Sequence, residues 1–279
     1  MPRNFIVVML RVACLLLLTG CVTVPFTGRT QWNLVNRVAL NQSVEEAYQA
    51  IKDSLAQPAD TSQAGRVQRV GRRLAVATEG YLRQKGQSNS LQGVNWVFLV
   101  VEDSSINASA FPGGKIFVTT GMLRVCPSDT LLASVLGHEM GHVLAGHTAE
   151  SYSKLMVNMV GMVAVAAVDV AQSSTRAPGD TTRLLDSYNG LQQLGSFAHS
   201  RKQEGEADRI GMILMALAAY PPAAQAELWE RIGRLEPGYS FALENSHPTH
   251  GRRVRQARQR LPEALRYWQG PPLSQAQRP

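Results

Sequence analysis

The sequence predicts an α+β fold, mainly helical with a small sheet, and three observations lead to it. Apolar residues recur at three- and four-residue spacing through several long stretches, two short runs are β-branched or alternating, and a helix N-cap signal opens the most strongly periodic stretch. In chain order, Val44–Leu55 and Gly65–Lys85 read as helices, punctuated by Pro58 and Gly86. Val94–Glu102 is apolar and β-branched, a strand. Asn107–Gly114 reads as a turn-rich loop, and Lys115–Thr120 as a second strand that alternates Ile116 and Val118 against Phe117 and Thr119. Ser128-Asp129-Thr130 caps a helix over Thr130–Glu150, and Ser151–Ala171 continues apolar and helical. Gln172–Thr182 reads as a loop around Pro178-Gly179-Asp180. A long helix over Thr182–Ala219 stops before Pro221-Pro222, short helices follow from Leu228, and the tail from Gly270 reads as disordered.

With 279 residues and 44% apolar content the chain can bury a substantial core, and nothing in the middle divides it into two domains. The formal charge is +7, and much of the basic excess is crowded between Arg252 and Arg266. Nucleic-acid binding surfaces interleave basic and aromatic residues more widely, so a solvated helix face is the reading and nucleic acid is excluded as a partner.

Phe5–Leu10 and Val12–Leu18 are apolar, too short for a membrane span of about 20 residues, and end in Thr19-Gly20-Cys21. Leu18-Thr19-Gly20-Cys21 resembles the lipobox of bacterial lipoproteins. The resemblance implies that Cys21 is lipidated and becomes the mature N-terminus, after which Arg3 and Arg11 are gone and the formal charge is +5. Arg11 interrupts the apolar run, which translation from Met9 would repair. Several acyl chains at about 0.8 kcal/mol per buried CH₂ hold a protein stably on a bilayer. Val22, rather than Asp, after the cysteine points by the sorting pattern to the periplasmic face of the outer membrane. Val22–Arg37 reads as an extended tether. Cys126 is then the one cysteine remaining, a small core residue without a disulfide partner.

His138-Glu139-Met140-Gly141-His142 is an H-E-x-x-H sequence inside the Thr130–Glu150 helix, backed by Leu131, Leu132, Val135, Leu136, Val143 and Leu144 as an amphipathic face. At 3.6 residues per turn, His142 lies about 40° and Glu139 about 100° around the helix from His138. Two imidazoles on one arc can ligate a tetrahedral zinc, with the glutamate reaching the metal's water as general base. A third histidine in the metzincin position is missing: Thr148 and Ala145 stand where that pattern needs His and Gly. His147 is one residue off and reads as a structural or supporting histidine. Glu204-Gly205-Glu206-Ala207-Asp208 supplies a glutamate instead. Glu204 and Asp208 share a helix face while Glu206 points about 200° from Glu204. Glu204 is therefore the candidate third ligand and Asp208 the group that orients a ligating histidine. The competing reading is a salt-bridged surface cluster with Arg201, Lys202 and Arg209.

With these residues on the page, the chain resembles the CaaX-prenyl-protease and HtpX-type zinc metallopeptidases (the forty-eighth metallopeptidase family), especially their soluble Oma-like branch. The matching stretches are Asn107-Ala108, Phe111-Pro112-Gly113-Gly114-Lys115-Ile116, His138–His142, Glu204–Asp208 with Arg209-Ile210-Gly211, and His247-Pro248 with Arg253-Val254. Pro25-Phe26-Thr27-Gly28-Arg29 looks like the family's N-terminal signature. The resemblance implies a gluzincin-type zincin domain with one zinc per chain on His138, His142 and Glu204, and Glu139 as catalytic base. It also implies that the strand after Pro112, with Gly113, Gly114, Lys115, Ile116, Phe117 and Val118, is the sheet edge that pairs with extended substrate. An ordinary hairpin with glycines at positive φ is the other reading of that turn, and both can hold together. His247 has three readings: a fourth zinc ligand that keeps the enzyme latent, an oxyanion donor, or a helix-capping His-Pro turn. Arg253 is a candidate for a substrate or transition-state contact, or for a bridge to a carboxylate.

Met156–Ala171 spans about 24 Å as a helix, short of the roughly 30 Å hydrocarbon core, and contains Asn158 and Asp169. It reads as a buried or lid helix, with membrane-surface contact as the alternative. The expected organisation is a signal peptide at 1–20, a lipidated N-terminus and tether at 21–43, a metallopeptidase domain at 44–269 and a tail at 270–279. The expected activity is hydrolysis of internal peptide bonds in misfolded or stalled envelope proteins, with the envelope assembly machinery as a further candidate partner. The rival is a chaperone-like assembly factor whose protease is held latent by His247.

Overall fold

The structure is a computed structural model and describes residues 21–54, 60–157, 199–235 and 250–271. It is mainly helical with two small sheets, as the α+β reading expects. The segment read as a tether is instead a packed hairpin of β1 (Cys21–Thr23) and β2 (Thr30–Trp32), antiparallel, with Cys21 opposite Trp32. Its turn carries the apolar surface that fixes it to the body: Val24 is buried, and Phe26 stacks on Tyr81 at 5.5 Å between ring centroids. α1 (Arg37–Ser54) follows directly, seven residues earlier than its periodicity indicates.

α2 (Thr61–Gln84) starts at Asp60, whose side chain accepts from the Ser62 amide, and buries Val67, Val70, Leu74 and Leu82 at helical spacing while Arg69, Arg72, Arg73 and Arg83 face outward. The glycine after it, Gly86, turns the chain at φ +67°. β3 (Val97–Val101), β4 (Ala108–Phe111) and β5 (Lys115–Thr119) form a sheet in the order β3-β5-β4, parallel on one side of β5 and antiparallel on the other.

This order corrects the sequence reading twice. Asn107–Gly114 contains a strand, missed because Ala-Ser-Ala-Phe lacks β-branched residues and sits among turn formers. Lys115–Thr119 is the central strand, buried at all five positions, and not the edge. Gly113–Val118 is therefore not a sheet edge open to a substrate strand, because β5 is already paired on both sides; among the described residues the edge beside the helix that carries His138 and His142 belongs to β4. Gly113 and Gly114, at φ +80° and +85°, do close the β4–β5 hairpin.

α3 (Thr120–Val125) leads to α4 (Asp129–Ala145), capped by the Ser128 hydroxyl, which accepts from the Leu131 amide. Every residue from Leu131 to Ala145 is buried, so α4 is a central helix enclosed all round rather than an amphipathic one. It ends at Gly146, in the left-handed region at φ +66°, and residues 147–157 resume as a separate helical stretch. One helix over Thr130–Glu150 is thus broken where only glycine adopts the needed φ at little cost. α5 (Arg201–Leu217) is likewise shorter than the predicted Thr182–Ala219. A reciprocal capping box between Ser200 and Gln203 starts it, and residues 182–198 lie outside the described residues. α6 (Ala224–Gly233) and α7 (His250–Leu265) complete the body, with Ala257, Leu261 and Ala264 of α7 packed on Met212 of α5.

Cys126 is buried in the main core, free, its thiol pushed up to about 12 chiefly by burial. Among the described residues no helix is long and apolar enough to cross a membrane. Of Met156–Ala171 only Met156 and Val157 are described, both exposed; the Gln172–Thr182 loop and the tail from 272 also lie outside the described residues.

α4 and α5 cross backbone to backbone. A Cβ on Gly141 would stand 2.7 Å from the Ala207 carbonyl oxygen, and one on Gly211 would stand 2.8 Å from the His138 nitrogen. Neither neighbour is a side chain that can swing away. Gly211→Ala is expected to cost about 1–3 kcal/mol in unfolding free energy by forcing the helices apart. The same shift moves Glu204 away from the histidines, so metal affinity measured beside thermal unfolding is expected to fall with stability.

Candidate metal centre

The crossing of α4 and α5 brings His138, His142 and Glu204 together, all buried, with one candidate ligand atom from each within 4.8 Å of the others. The His138 and His142 Nε2 atoms are 3.1 Å apart, and Glu204 Oε2 and Oε1 lie 3.4 Å from His138 Nε2 and His142 Nε2 respectively. Ligands about 2.0–2.1 Å from a tetrahedral ion stand about 3.3 Å apart, so these spacings fit a metal held by two imidazoles and a carboxylate. The burial of Glu204, 1% exposed, disposes of the surface-cluster reading. Arg201 and Lys202 are exposed, and Arg209 pairs with Glu263 of α7 at 2.6 Å.

Asp208 stands where the helical spacing from Glu204 places it, 3.0 Å from His138 Nδ1. It also accepts from Gln225 Nε2 at 2.6 Å, and from Arg253 Nη2 and Nε at 2.7 and 2.8 Å. Burial pushes the Asp208 carboxyl up, but the Arg253 charge and the His138 and Arg253 hydrogen bonds outweigh it and hold it well below the usual range. Arg253 is itself buried, 3.3 Å above the centre of the Trp229 ring and 3.7 Å from Glu204. The structure shows the bridge to a carboxylate that one of its readings expects. For His138, burial and the Arg253 charge disfavour the imidazolium, yet Asp208 and Glu204 prevail and raise its pKa to about 9. A cation held by these three residues would take the place of that proton.

Glu139 is buried beside the two histidines. Burial first, and then the Glu204 charge, raise its carboxyl to about 7 against the lowering influence of His138, Arg253 and a hydrogen bond from the Ala110 amide. A base near neutrality is what proton transfer at neutral pH requires. Ala110 lies in β4, so the edge strand of the sheet borders the site directly. A small pocket lined by Leu40, Asn41, Phe111, Pro112, His142 and Val143 lies beside this edge.

Of three further side chains around the ligands, only His199 was not singled out by sequence. His199 stacks on His142 at 4.1 Å between centroids; its signal was its position just before the Ser200 cap of the helix that carries Glu204. Glu206, which does point away from Glu204, accepts from Thr27 Oγ1 at 2.6 Å and Arg29 Nε at 2.7 Å. His147 supports the site, with Nδ1 2.9 Å from His142 Nδ1 and Nε2 3.1 Å from Glu206. His247 lies outside the described residues. Cys21 is exposed and free.

Burial pushes the Glu206 carboxyl up, but hydrogen bonds from His147, Thr27 and Arg29 outweigh it and hold its pKa down at about 2, against 4.5 for an ordinary glutamate. A group depressed in the folded state stabilises fully above its unfolded pKa, and that contribution disappears as pH falls through the folded one. The metal-free protein is therefore expected to lose stability between about pH 4.5 and 2, which acid titration of the melting temperature measures. Glu206→Gln is expected to flatten that window.

The profile of peptidase family M48 matches residues 61–261. Among curated relatives, mitochondrial metalloendopeptidase OMA1 of Schizosaccharomyces pombe is 30% identical over 247 residues, covering 86% of this chain and 66% of its own length. Metalloprotease LoiP of Escherichia coli is 29% identical over 254 residues, covering 88% of this chain and 92% of its own length. A putative beta-barrel assembly-enhancing protease of Vibrio cholerae is 28% identical over 170 residues, 59% of this chain and 34% of its own. The chain spans 66% or less of the length of the OMA1 relatives it matches. The matched span carries His138, Glu139, His142, Glu204 and Asp208 in the geometry just described, and the chain belongs to peptidase family M48.

Proposed function

We propose that this chain is a zinc-dependent endopeptidase that cleaves internal peptide bonds of unfolded or misfolded envelope proteins. The observation that carries the reading is the buried set of His138, His142 and Glu204 at tetrahedral spacing, with the Glu139 carboxyl beside it and the edge of β4 alongside. When bound there, zinc supplies Lewis acidity toward water and toward a peptide carbonyl. Glu139 accepts the proton from the attacking water and delivers it to the leaving amine. Asp208 and Arg253 hold His138 in place from behind. An extended substrate adds along the edge strand β4, and backbone pairing makes selection loose in sequence but strict in conformation, since only unfolded segments can join as a strand.

Lipid attachment at Cys21 is supported by the Leu18–Cys21 pattern and by the exposure of that residue. Placement on the periplasmic face of the outer membrane rests on Val22 after it. The name of the Vibrio relative supports contact with envelope assembly machinery. Incubation with casein tests the activity: cleavage that a chelator abolishes and zinc restores is expected, and chelator-insensitive cleavage, or none at all, would count against it. With His247→Ala, a rise in cleavage would instead support the latent, chaperone-like reading.

A further inference from the structure

His147 lies five residues beyond His142, and on an unbroken helix the two side chains would point about 140° apart. The turn at Gly146 removes that separation and brings their Nδ1 atoms to 2.9 Å. His142 turns Nε2 toward His138 Nε2, so as a ligand through that atom it carries its proton on Nδ1 and donates to His147 Nδ1. The His147 proton then sits on Nε2, where it donates to Glu206 Oε2 at 3.1 Å. The donors run one way, from the ligand outward, and end on a carboxylate.

That carboxylate is held by the N-terminal hairpin. Thr27 and Arg29 donate to Glu206, and Arg29 is fixed in turn by Glu150 at 3.0 Å and by the Gln31 side-chain oxygen at 2.8 Å. Gln31 donates to the Ala145 carbonyl at 2.6 Å, and Arg37 to the Val143 carbonyl at 3.0 Å. Both carbonyls belong to the last turn of α4, the turn that carries His142, where backbone acceptors need partners from outside the helix.

We propose that the hairpin is part of the metal centre: Arg29 and Thr27, acting through Glu206 and His147, are positioning residues that fix the tautomer and ring orientation of His142. The two histidine ligands are then treated alike. Asp208, clamped by Arg253, backs His138 directly, and Glu206, clamped by Arg29, backs His142 through His147. The two carboxylates come from one short segment of α5, and the two arginines from opposite ends of the chain. The proposal rests on His142 being a metal ligand.

The test compares zinc affinity, by chelator competition, with thermal unfolding of the metal-free protein in full-chain variants. Arg29→Ala and Glu206→Gln are expected to weaken zinc binding about 10- to 100-fold, the usual effect of losing a partner behind a metal ligand. Arg29→Lys should recover part of that loss, because its ammonium still reaches Glu206. Arg209→Ala, which breaks an ion pair elsewhere on α5, should leave zinc affinity unchanged. Should Arg29→Ala not fold, Thr27→Val removes one hydrogen bond and is expected to weaken zinc about three- to tenfold. Folded Arg29→Ala and Glu206→Gln proteins, or Thr27→Val alone, with zinc affinity within about twofold of the unmodified chain would overturn the proposal. Absence of zinc from the unmodified protein, or undiminished binding by His142→Ala, would instead sink the metal-site reading on which it rests.

Discussion

Replacing Glu139 by Gln is expected to lower casein cleavage by about 10²- to 10⁴-fold while bound metal and folding persist. Gln has nearly the same shape and can still meet the Ala110 amide, but it offers no carboxylate to take a proton from water. The buried carboxyl, raised to about 7, is also a group whose charge the site disfavours through burial and through the neighbouring Glu204. Removing that charge relieves the penalty, so the melting temperature should stay level or rise. Loss of activity with unchanged or higher stability separates a proton-transfer role from a structural one. Retention of activity would mean that some other group serves as the base.

Arg253→Met should have the largest effect on stability, about 3–5 kcal/mol, because it leaves buried carboxylates without their cation. Arg253 donates twice to Asp208, lies 3.7 Å from Glu204 and stacks over Trp229, and all four side chains are largely or fully buried. Adding Asp208→Leu to Arg253→Met is expected to restore part of the stability, since an apolar pair often replaces a buried ion pair at little cost. It should not restore metal affinity, because His138 then has no acceptor on Nδ1. Denaturant unfolding of the metal-free proteins, beside chelator competition, measures the two quantities separately.

What was legible in the sequence follows from how local each cause is. His138, Glu139 and His142 share an arc because helix geometry alone puts them there, and Glu204 with Asp208 follows from the same period. The Ser200 cap stands in the sequence as S-x-x-Q, but the helical period that runs on either side of it hides the helix start. Strand order was not legible: whether Lys115–Thr119 lies central or at the edge depends on how the chain crosses between 101 and 108, not on the alternation within the strand. The hairpin read as a tether because its turn formers say nothing of partners. The carboxylate partners of Thr27 and Arg29 lie between 121 and 179 residues away along the chain. His147 shows both limits: its sequence position suggested support for the site, but only the glycine break at 146 shows which ligand it serves.

The most direct test of the central claim is the metal content of freshly purified, folded protein, determined for the unmodified chain and for His142→Ala. The account predicts close to one zinc per unmodified chain, and little or none once His142 is gone. Folded protein without zinc, or zinc that stays in full after His142→Ala, would contradict it.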